Sequence, residues 1–98
     1  AGFGYEFFSP EDLAYRQAKN IPTLIANTYE AIQSVLLFDP GERWNYGCNI
    51  DWLGKVVEAV RGKRLGEEMA ERLFAPLGLN DTAFVITPSM MQRRASLH

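Results

Sequence analysis

Proline and glycine interrupt this chain so often that each stretch between them has room for only one short helix or strand. The breakers are Pro22, the pair Pro40-Gly41, Gly62, and Pro76 with Gly78. Apolar residues recur at helical spacing in several stretches, and no alternation of strands with helices indicates a parallel sheet. The sequence therefore predicts a mainly α chain with about four helices and at most one short strand.

Start and stop signals place these predicted helices. Ser9 before Pro10 suits a helix N-terminus, and Asn27–Glu30 resembles a capping box. The third helix would bury Trp52, Leu53, Val56, Val57 and Val60. In the fourth helix, Glu67, Glu68 and Glu71 fit a solvated face. The predicted helices run over Ser9–Asn20, Asn27–Leu36, Asn49–Gly62 and Leu65–Ala75. A segment that could form a strand follows at 81–86, and Thr87-Pro88-Ser89 then caps a last helical turn or two that ends at Arg94.

Composition narrows the class of protein. The 98 residues suffice for about one domain, and a formal net charge of -2 with no basic run argues against a nucleic-acid partner. No apolar stretch approaches the length of a membrane span. The single cysteine excludes an internal disulfide and leaves the redox compartment open. With the only histidine at the last position and no glycine-rich phosphate loop, we expect no metal site and no cofactor.

The chain carries no complete catalytic constellation of its own. It contains neither a Gly-x-Ser-x-Gly elbow nor a Ser-x-x-Lys pair, so no residue is an obvious covalent nucleophile. It opens with the aromatic-rich AGFGYEFF and closes with RRASLH, where a helical segment looks cut off. We therefore expect a piece excised from a longer protein.

Two strings of residues carry a resemblance to a known family. The first holds Pro40-Gly41, Trp44-x-Tyr46-Gly47, Asp51-x-Leu53-Gly54 and Glu58-x-Val60-x-Gly62, and the second runs from Phe74 to Phe84. Their order and spacing resemble the serine β-lactamase-like hydrolases, which include class C β-lactamases, D-alanyl-D-alanine peptidases, and the family VIII carboxylesterases with their acyltransferase relatives. The opening AGFGY and the closing Arg93-x-Ala95 are similar to that family too, so the resemblance covers nearly the whole chain.

The resemblance implies a helical subdomain inserted in a larger α/β fold, with the active site between the two parts. Residues 1–98 would form that single helical subdomain. The nucleophile, the serine of a Ser-x-x-Lys motif, would lie upstream of Ala1, and a Lys-Thr-Gly or His-containing motif would lie downstream of His98. The family's second motif begins with a tyrosine, which Tyr46 matches. Tyr46 is the one catalytic position that carries over.

A tyrosine in this place would act as general base and then as general acid. A free phenol has a pKa of about 10, and a nearby ammonium group, such as the family's lysine, favours the phenolate. The ring must be held stiffly. Trp44 and Leu53 could form its pocket, and Gly47 leaves room beside it for substrate or backbone. The alternative for Tyr46, taken alone, is ordinary packing.

Four residues are candidates for substrate binding: Tyr5, Trp44, Cys48 and Asn49. The aromatic residues of the first eight positions could line an acyl pocket or could equally be core. For Cys48 the alternative is a small buried residue, because no base or cation near it indicates a reactive thiol. For Asn49 the alternative is a helix N-cap.

Two departures favour an ester over a β-lactam. Class C enzymes have an asparagine two residues after the tyrosine, where this chain has Cys48, and the Tyr46-to-Gly54 interval fits the esterase branch. We interpret the chain as part of a carboxylesterase-like serine hydrolase acting on a small ester or amide through its missing α/β half, inactive when isolated. The alternatives are a β-lactamase or D-alanyl-D-alanine peptidase subdomain, and a non-catalytic helical interaction module. Exposed apolar surface could make such a fragment self-associate.

Overall fold

Four α-helices lie in the part of the chain that the computed structural model describes, residues 1–96. They are α1 (Pro10–Lys19), α2 (Asn49–Arg61), α3 (Leu65–Met69) and α4 (Pro88–Arg93), with 3-10 turns at Leu24–Ala26 and Glu30–Ile32 and a π-helical turn, Ala70–Phe74, that directly continues α3. No strand occurs within residues 1–96, so the mainly α prediction is confirmed. Internal contacts divide the chain into two compact units, Ala1–Val56 and the residues from Val57 onward.

α1 begins and ends where the sequence predicts it. Ser9 occupies the N-cap position, Pro10 follows it, and Asn20 ends the helix in a left-handed conformation with a φ of 54°. The Ser9 hydroxyl makes no capping bond. It is buried against Gly4, where an added Cβ would lie 2.6 Å from Ser9 Oγ. The start of this helix therefore depends on the proline and on the acidic first turn rather than on a side-chain cap.

A buried ion cluster on α1 organises the first unit. Arg16 is 2% exposed, and its Nε lies 2.7 Å from Asp12 Oδ2 and 3.2 Å from Glu6 Oε2. Its Nη1 donates to the carbonyl oxygens of Ala31 at 2.6 Å and Pro22 at 3.0 Å. A charge removed from water is tolerated when it is paired and hydrogen-bonded. This arginine therefore ties α1 to the loop that follows it.

The predicted helix over Asn27–Leu36 is wrong, because the structure has only the 3-10 turn Glu30–Ile32 there. The Ala31 carbonyl accepts a hydrogen bond from the buried arginine, and the Ile32 carbonyl accepts one from the indole of Trp52 at 3.0 Å. A longer helix would offer both carbonyls to its own next turn. Side chains from other elements bind them instead, so tertiary contacts override the local helix signal.

α2 confirms the third predicted helix, but most of its apolar face is not a core. Leu53 and Val56 are each 55% exposed, and Val60 is 77% exposed. Trp52 is the anchored member, since its ring stacks on Phe3 with the centroids 6.0 Å apart. The apolar face of α2, which the helical spacing predicts to be buried, is therefore largely exposed to solvent in the described residues.

Ion pairs tie α2's last turn, α3 and the π-helical turn together within the second unit. Arg61 Nε lies 2.7 Å and Arg72 Nε lies 3.0 Å from Glu68 Oε1. Glu68 is buried, which corrects the prediction that it belongs to a solvated face. Lys63 pairs with Glu71 nearer the surface, at 2.7 Å. The fourth predicted helix is confirmed as α3 with its π-helical continuation.

α4 starts as the sequence predicts, because the Thr87 hydroxyl accepts a hydrogen bond from the Met90 amide at 3.2 Å. Segment 81–86 is not a strand. A strand needs a partner for its backbone groups, and within residues 1–96 none is present. Arg93 on α4 instead holds Asp81 through two hydrogen bonds of 2.7 and 2.5 Å.

Candidate functional site

Tyr46 lies in the short irregular connection between the Pro40-Gly41 turn and α2. Gly41 has a φ of 93°, a left-handed conformation that residues with a Cβ rarely adopt, so this turn requires its glycine. At the other end, the Cys48 carbonyl accepts from the Trp52 amide at 3.4 Å and starts α2. The two ends fix a connection that carries Tyr46 at the surface, where the residue is 58% exposed.

Gly47 is required by a close approach of two backbone segments. A Cβ added at Gly47 would lie 2.2 Å from Phe3 O and 3.0 Å from Gly4 Cα, so no side chain fits. On either side of this contact, Asn45 Nδ2 donates to Phe3 O at 3.1 Å and the Cys48 amide donates to Gly4 O at 3.4 Å. The room predicted beside the tyrosine is therefore filled by backbone.

Asn45 is a site residue that the sequence reasoning missed. Asparagine in a loop often forms hydrogen bonds with nearby backbone groups, so the residue type alone could have indicated a structural role for Asn45. Its partner lies 42 positions away in sequence, and no local pattern identifies such a partner. The bond matters because it anchors the residue directly before Tyr46 to the opening segment of the chain.

A shallow concavity of about 360 Å³ surrounds Tyr46. It brings together three of the predicted substrate-binding residues, Tyr5, Trp44 and Asn49, with the tyrosine. Trp44 is 84% exposed. The remaining lining residues are Asn45, Gly47, Ile50 and Leu53. The arrangement offers a mostly apolar wall with two tyrosines and two asparagines, which suits a ligand with an apolar body and a few polar atoms.

Two aromatic rings contact Tyr46 in the described residues. Tyr5 lies with its ring centroid 5.1 Å away and tilted by 52°, and Phe8 lies 6.1 Å away, edge-on at 69°. The sequence predicts Trp44 and Leu53 as the walls that hold this ring. Both line the concavity, but the ring contacts come from the opening segment instead.

Cys48 is fully buried and is not among the residues lining the concavity. Burial raises the pKa of its thiol, the nearby Arg16 opposes that shift, and Asp51 adds to it. This matches the interpretation of Cys48 as a small buried residue. Its assignment to substrate binding stays a prediction that the burial does not support.

Asn49 is the first residue of α2 rather than its N-cap. Its side-chain Oδ1 is buried and has no hydrogen-bond partner within residues 1–96, although the residue lines the concavity. A substrate contact by Asn49 therefore stays a prediction, with its amide on the wall where such a contact would form.

Burial raises the pKa of the Tyr5 phenol, and the nearby Asp51, Tyr46 and Cys48 add to the shift. The phenolate form of Tyr5 is therefore disfavoured. The Tyr5 phenol is therefore neutral at ordinary pH.

Residues 1–96 contain no group of three or more His, Cys, Asp and Glu side chains placed to hold a metal ion. Over the same residues, no helix combines the length and the apolar character needed to cross a membrane.

Comparison with known proteins agrees with the resemblance carried by the motifs. The sequence model of the Beta-lactamase family matches residues 1–98. The chain is 46% identical over 59 residues to monacolin J acid methylbutanoyltransferase of Aspergillus terreus, covering 58% of this chain and 14% of that protein. It is 37% identical over 89 residues to lovastatin esterase of Penicillium rubens, covering 86% and 22%. It is 36% identical over 101 residues to acyltransferase mokF of Monascus pilosus, covering 97% and 24%.

The chain thus spans less than a quarter of the length of each of these relatives. Their names are those of a hydrolase and of acyl-transferring enzymes. The family model matches residues 1–98 independently of these three relatives. This chain belongs to the Beta-lactamase family.

Proposed function

We propose that residues 1–98 are the helical subdomain of a longer serine ester hydrolase or acyltransferase, and that Tyr46 is its general base and then its general acid. The observation that carries the proposal is the setting of Tyr46. Its phenol lines a concavity, and its backbone is fixed by the close approach of Gly47 to Phe3. Membership of the Beta-lactamase family supports an enzyme of this class for the whole protein.

In the first half of the reaction, the serine of a Ser-x-x-Lys motif elsewhere in the longer protein is the nucleophile. The lysine ammonium favours the phenolate form of Tyr46. The phenolate takes the proton of the serine hydroxyl as Oγ attacks the ester carbonyl carbon. When the tetrahedral intermediate collapses, Tyr46 gives that proton to the departing alkoxide. The products are an acyl-enzyme and a free alcohol, and Tyr46 is a phenolate again.

In the second half, Tyr46 takes a proton from the molecule that attacks the acyl-enzyme and returns it to the serine Oγ as the acyl–oxygen bond breaks. Water as the attacking molecule gives hydrolysis, and an alcohol gives acyl transfer. Both outcomes occur in the names of the relatives, one an esterase and another a methylbutanoyltransferase. The same residues therefore serve either activity, and the acceptor decides between them.

Burial of Cys48 favours an ester over a β-lactam. The resemblance puts an asparagine that contacts the β-lactam side-chain amide two residues after the tyrosine. This chain has Cys48 there, fully buried and without an amide. Clear hydrolysis of a cephalosporin by the unaltered full-length protein would overturn this preference.

The Y46F variant of the full-length protein tests the role of Tyr46. Without the phenol no proton moves through this position, so we expect kcat on a p-nitrophenyl ester to fall by about 10²- to 10⁴-fold with little change in KM. Tyr15→Phe, a change on α1 outside the concavity, is the matched control and should leave kcat as it is. A Y46F variant with the kcat of the unaltered protein would refute the assignment.

A fluorophosphonate probe tests the placement of the nucleophile. We expect one labelled serine in the full-length protein, outside residues 1–98, and no label on the isolated chain. A label on Ser9, Ser34, Ser89 or Ser96 would place the chemistry within this chain and overturn the proposal.

The isolated chain is also expected to self-associate. α2 exposes Ile50, Leu53, Val56 and Val60 along its length, and such apolar surface drives association. Sedimentation velocity at increasing concentration measures this, and a strictly monomeric isolated chain would contradict it.

A further inference from the structure

We propose that Tyr5 and Phe8 are positioning residues that hold the ring of Tyr46 in one orientation, and we call this pair the aromatic clamp. The activity consequence of the aromatic clamp rests on the proposed function of Tyr46. Its structural consequence rests only on the geometry of the first unit.

Both rings of the aromatic clamp come from one tight turn. The Tyr5 carbonyl accepts hydrogen bonds from the Phe8 amide at 3.0 Å and from the Ser9 amide at 2.8 Å. This turn brings Tyr5 and Phe8 to the same side of the opening segment, and both contact Tyr46. The centroid separations of 5.1 and 6.1 Å, with tilts of 52° and 69°, fall in the range of favourable aromatic pairs.

The ring of Tyr46 needs such contacts because the backbone bonds do not fix its side-chain torsions. Gly47 and Asn45 hold the main chain on either side of it. Tyr46 is 58% exposed, and exposed side chains change rotamer within picoseconds to nanoseconds. A proton-transferring group has to stay within about 0.5 Å and 10–20° of its working geometry. The two clamp rings supply the restraint that the backbone lacks.

Phe8 is the more informative member of the aromatic clamp. It is 72% exposed and does not line the concavity, so neither burial among the described residues nor a contact in the concavity explains its position. Its ring contact in the described residues is with Tyr46. The adjacent Phe7 is 57% exposed and has no ring contact among residues 1–96, which makes it a matched control.

Tyr5 contributes as a neutral ring. Its burial and the nearby Asp51 and Cys48 disfavour the phenolate, so Tyr5 does not compete with Tyr46 for the proton of the nucleophile.

The test compares kcat and KM of the full-length protein on p-nitrophenyl acetate for Phe8→Leu, Tyr5→Leu and Phe7→Leu. Loss of the Phe8 ring should lower kcat about three- to tenfold and leave KM unchanged, because fewer Tyr46 rotamers are productive. Tyr5→Leu should lower kcat by a similar factor. Phe7→Leu should match the unaltered protein, and Phe8→Tyr should retain kcat. Equal kcat values for Phe8→Leu and Phe7→Leu, or a loss confined to KM, would overturn the aromatic clamp.

A second measurement does not depend on activity. The Hα–Hβ coupling constants of Tyr46, read by NMR from tyrosine-labelled full-length protein, should be those of a single staggered rotamer in the unaltered protein and in Phe7→Leu. They should move to the intermediate values of rotamer averaging in Phe8→Leu, which stays informative even where Tyr5→Leu fails to fold. Unchanged couplings in Phe8→Leu would refute the aromatic clamp even if Y46F is inactive. A fully active Y46F with averaged couplings in Phe8→Leu would refute the proposed function alone.

Discussion

The ion pairs of the two units differ in how far both partners are buried. In the first, Arg16, Asp12 and Glu6 are almost fully buried and form one cluster. In the second, Glu68 is buried but its partners Arg61 and Arg72 are exposed, and the Arg93–Asp81 pair lies at the surface. Breaking a buried ion pair leaves an uncompensated charge, whereas exposed pairs contribute little in water. The unit that carries Tyr46 is therefore the one whose loops are fixed by contacts that cannot be removed without a large loss of stability.

The glycines repeat this contrast. Gly47 in the first unit faces the backbone of Phe3, which cannot move aside without shifting the segment that carries Tyr5. Gly66 in the second unit faces the Phe84 ring, where an added Cβ would lie 3.2 Å from Cδ2. Phe84 is 63% exposed, so its ring can turn away. Of these two glycines, the one at the candidate site fits against backbone, and the other fits against an exposed side chain.

The largest effect is expected from Arg16→Met, which keeps the length of the side chain and removes its charge. The carboxylates of Asp12 and Glu6 and the carbonyl of Ala31 would stay buried without their partner. We expect the free energy of unfolding to fall by about 3–5 kcal/mol, measured by urea denaturation at neutral pH. The matched control, Arg93→Met, removes an exposed guanidinium and should leave the urea midpoint unchanged. Equal losses of unfolding free energy in both variants would show that the two units do not differ in how much their ion pairs stabilise them.

Gly47→Ala should have the next largest effect. Its Cβ would meet Phe3 O at 2.2 Å, so the opening segment must shift away from Tyr46. Overpacking of this kind costs about 1–3 kcal/mol in stability. A displacement near 1 Å at a catalytic group can also lower kcat about 10²-fold, so activity on a p-nitrophenyl ester should fall more than stability suggests.

Gly66→Ala is the matched control for that glycine. It lies within α3, where alanine is favoured over glycine by about 1 kcal/mol, and the Phe84 ring can move. Its thermal unfolding midpoint should therefore stay level or rise. A fall as large as that of Gly47→Ala would show that close packing is not particular to the candidate site.

Local signals predicted those parts of the fold that depend on nearby residues. Pro10 and the acidic first turn place α1, and Thr87 caps α4, because caps act over three or four positions. The Asn27–Leu36 helix failed because its carbonyls are bound by Arg16 and Trp52, from other elements. Partners so far away in sequence leave no local pattern.

The candidate site divides in the same way. The motif around Tyr46 and Gly47 could be recognised in the sequence because its residues are consecutive. The family resemblance then gave the tyrosine its expected role. The contacts of Phe8 and Asn45 could not be predicted from the sequence, since each joins the opening segment to the loop before α2, about forty residues later. Apolar spacing on α2 predicted the helix correctly and its burial wrongly, because spacing reports a face and not what covers it.

The smallest effect is expected at Asp81, where the comparison between the units can be made sharpest. Two hydrogen bonds from Arg93 hold the pKa of this carboxyl below its ordinary value of 3.8. Because the folded-state pKa is lowered, the pair stabilises the fold above pH 3.8 and its contribution is lost as pH falls through the folded-state value. Carboxyl NMR titration of Arg93→Met should show the Asp81 pKa rising towards 3.8, with no measurable change in stability at pH 7 because water screens the exposed pair. An Asp81 pKa that does not move would assign the shift to some other group. A clear loss of stability at pH 7 would mean that surface charge in the second unit is as important to its fold as the buried arginine is to the first.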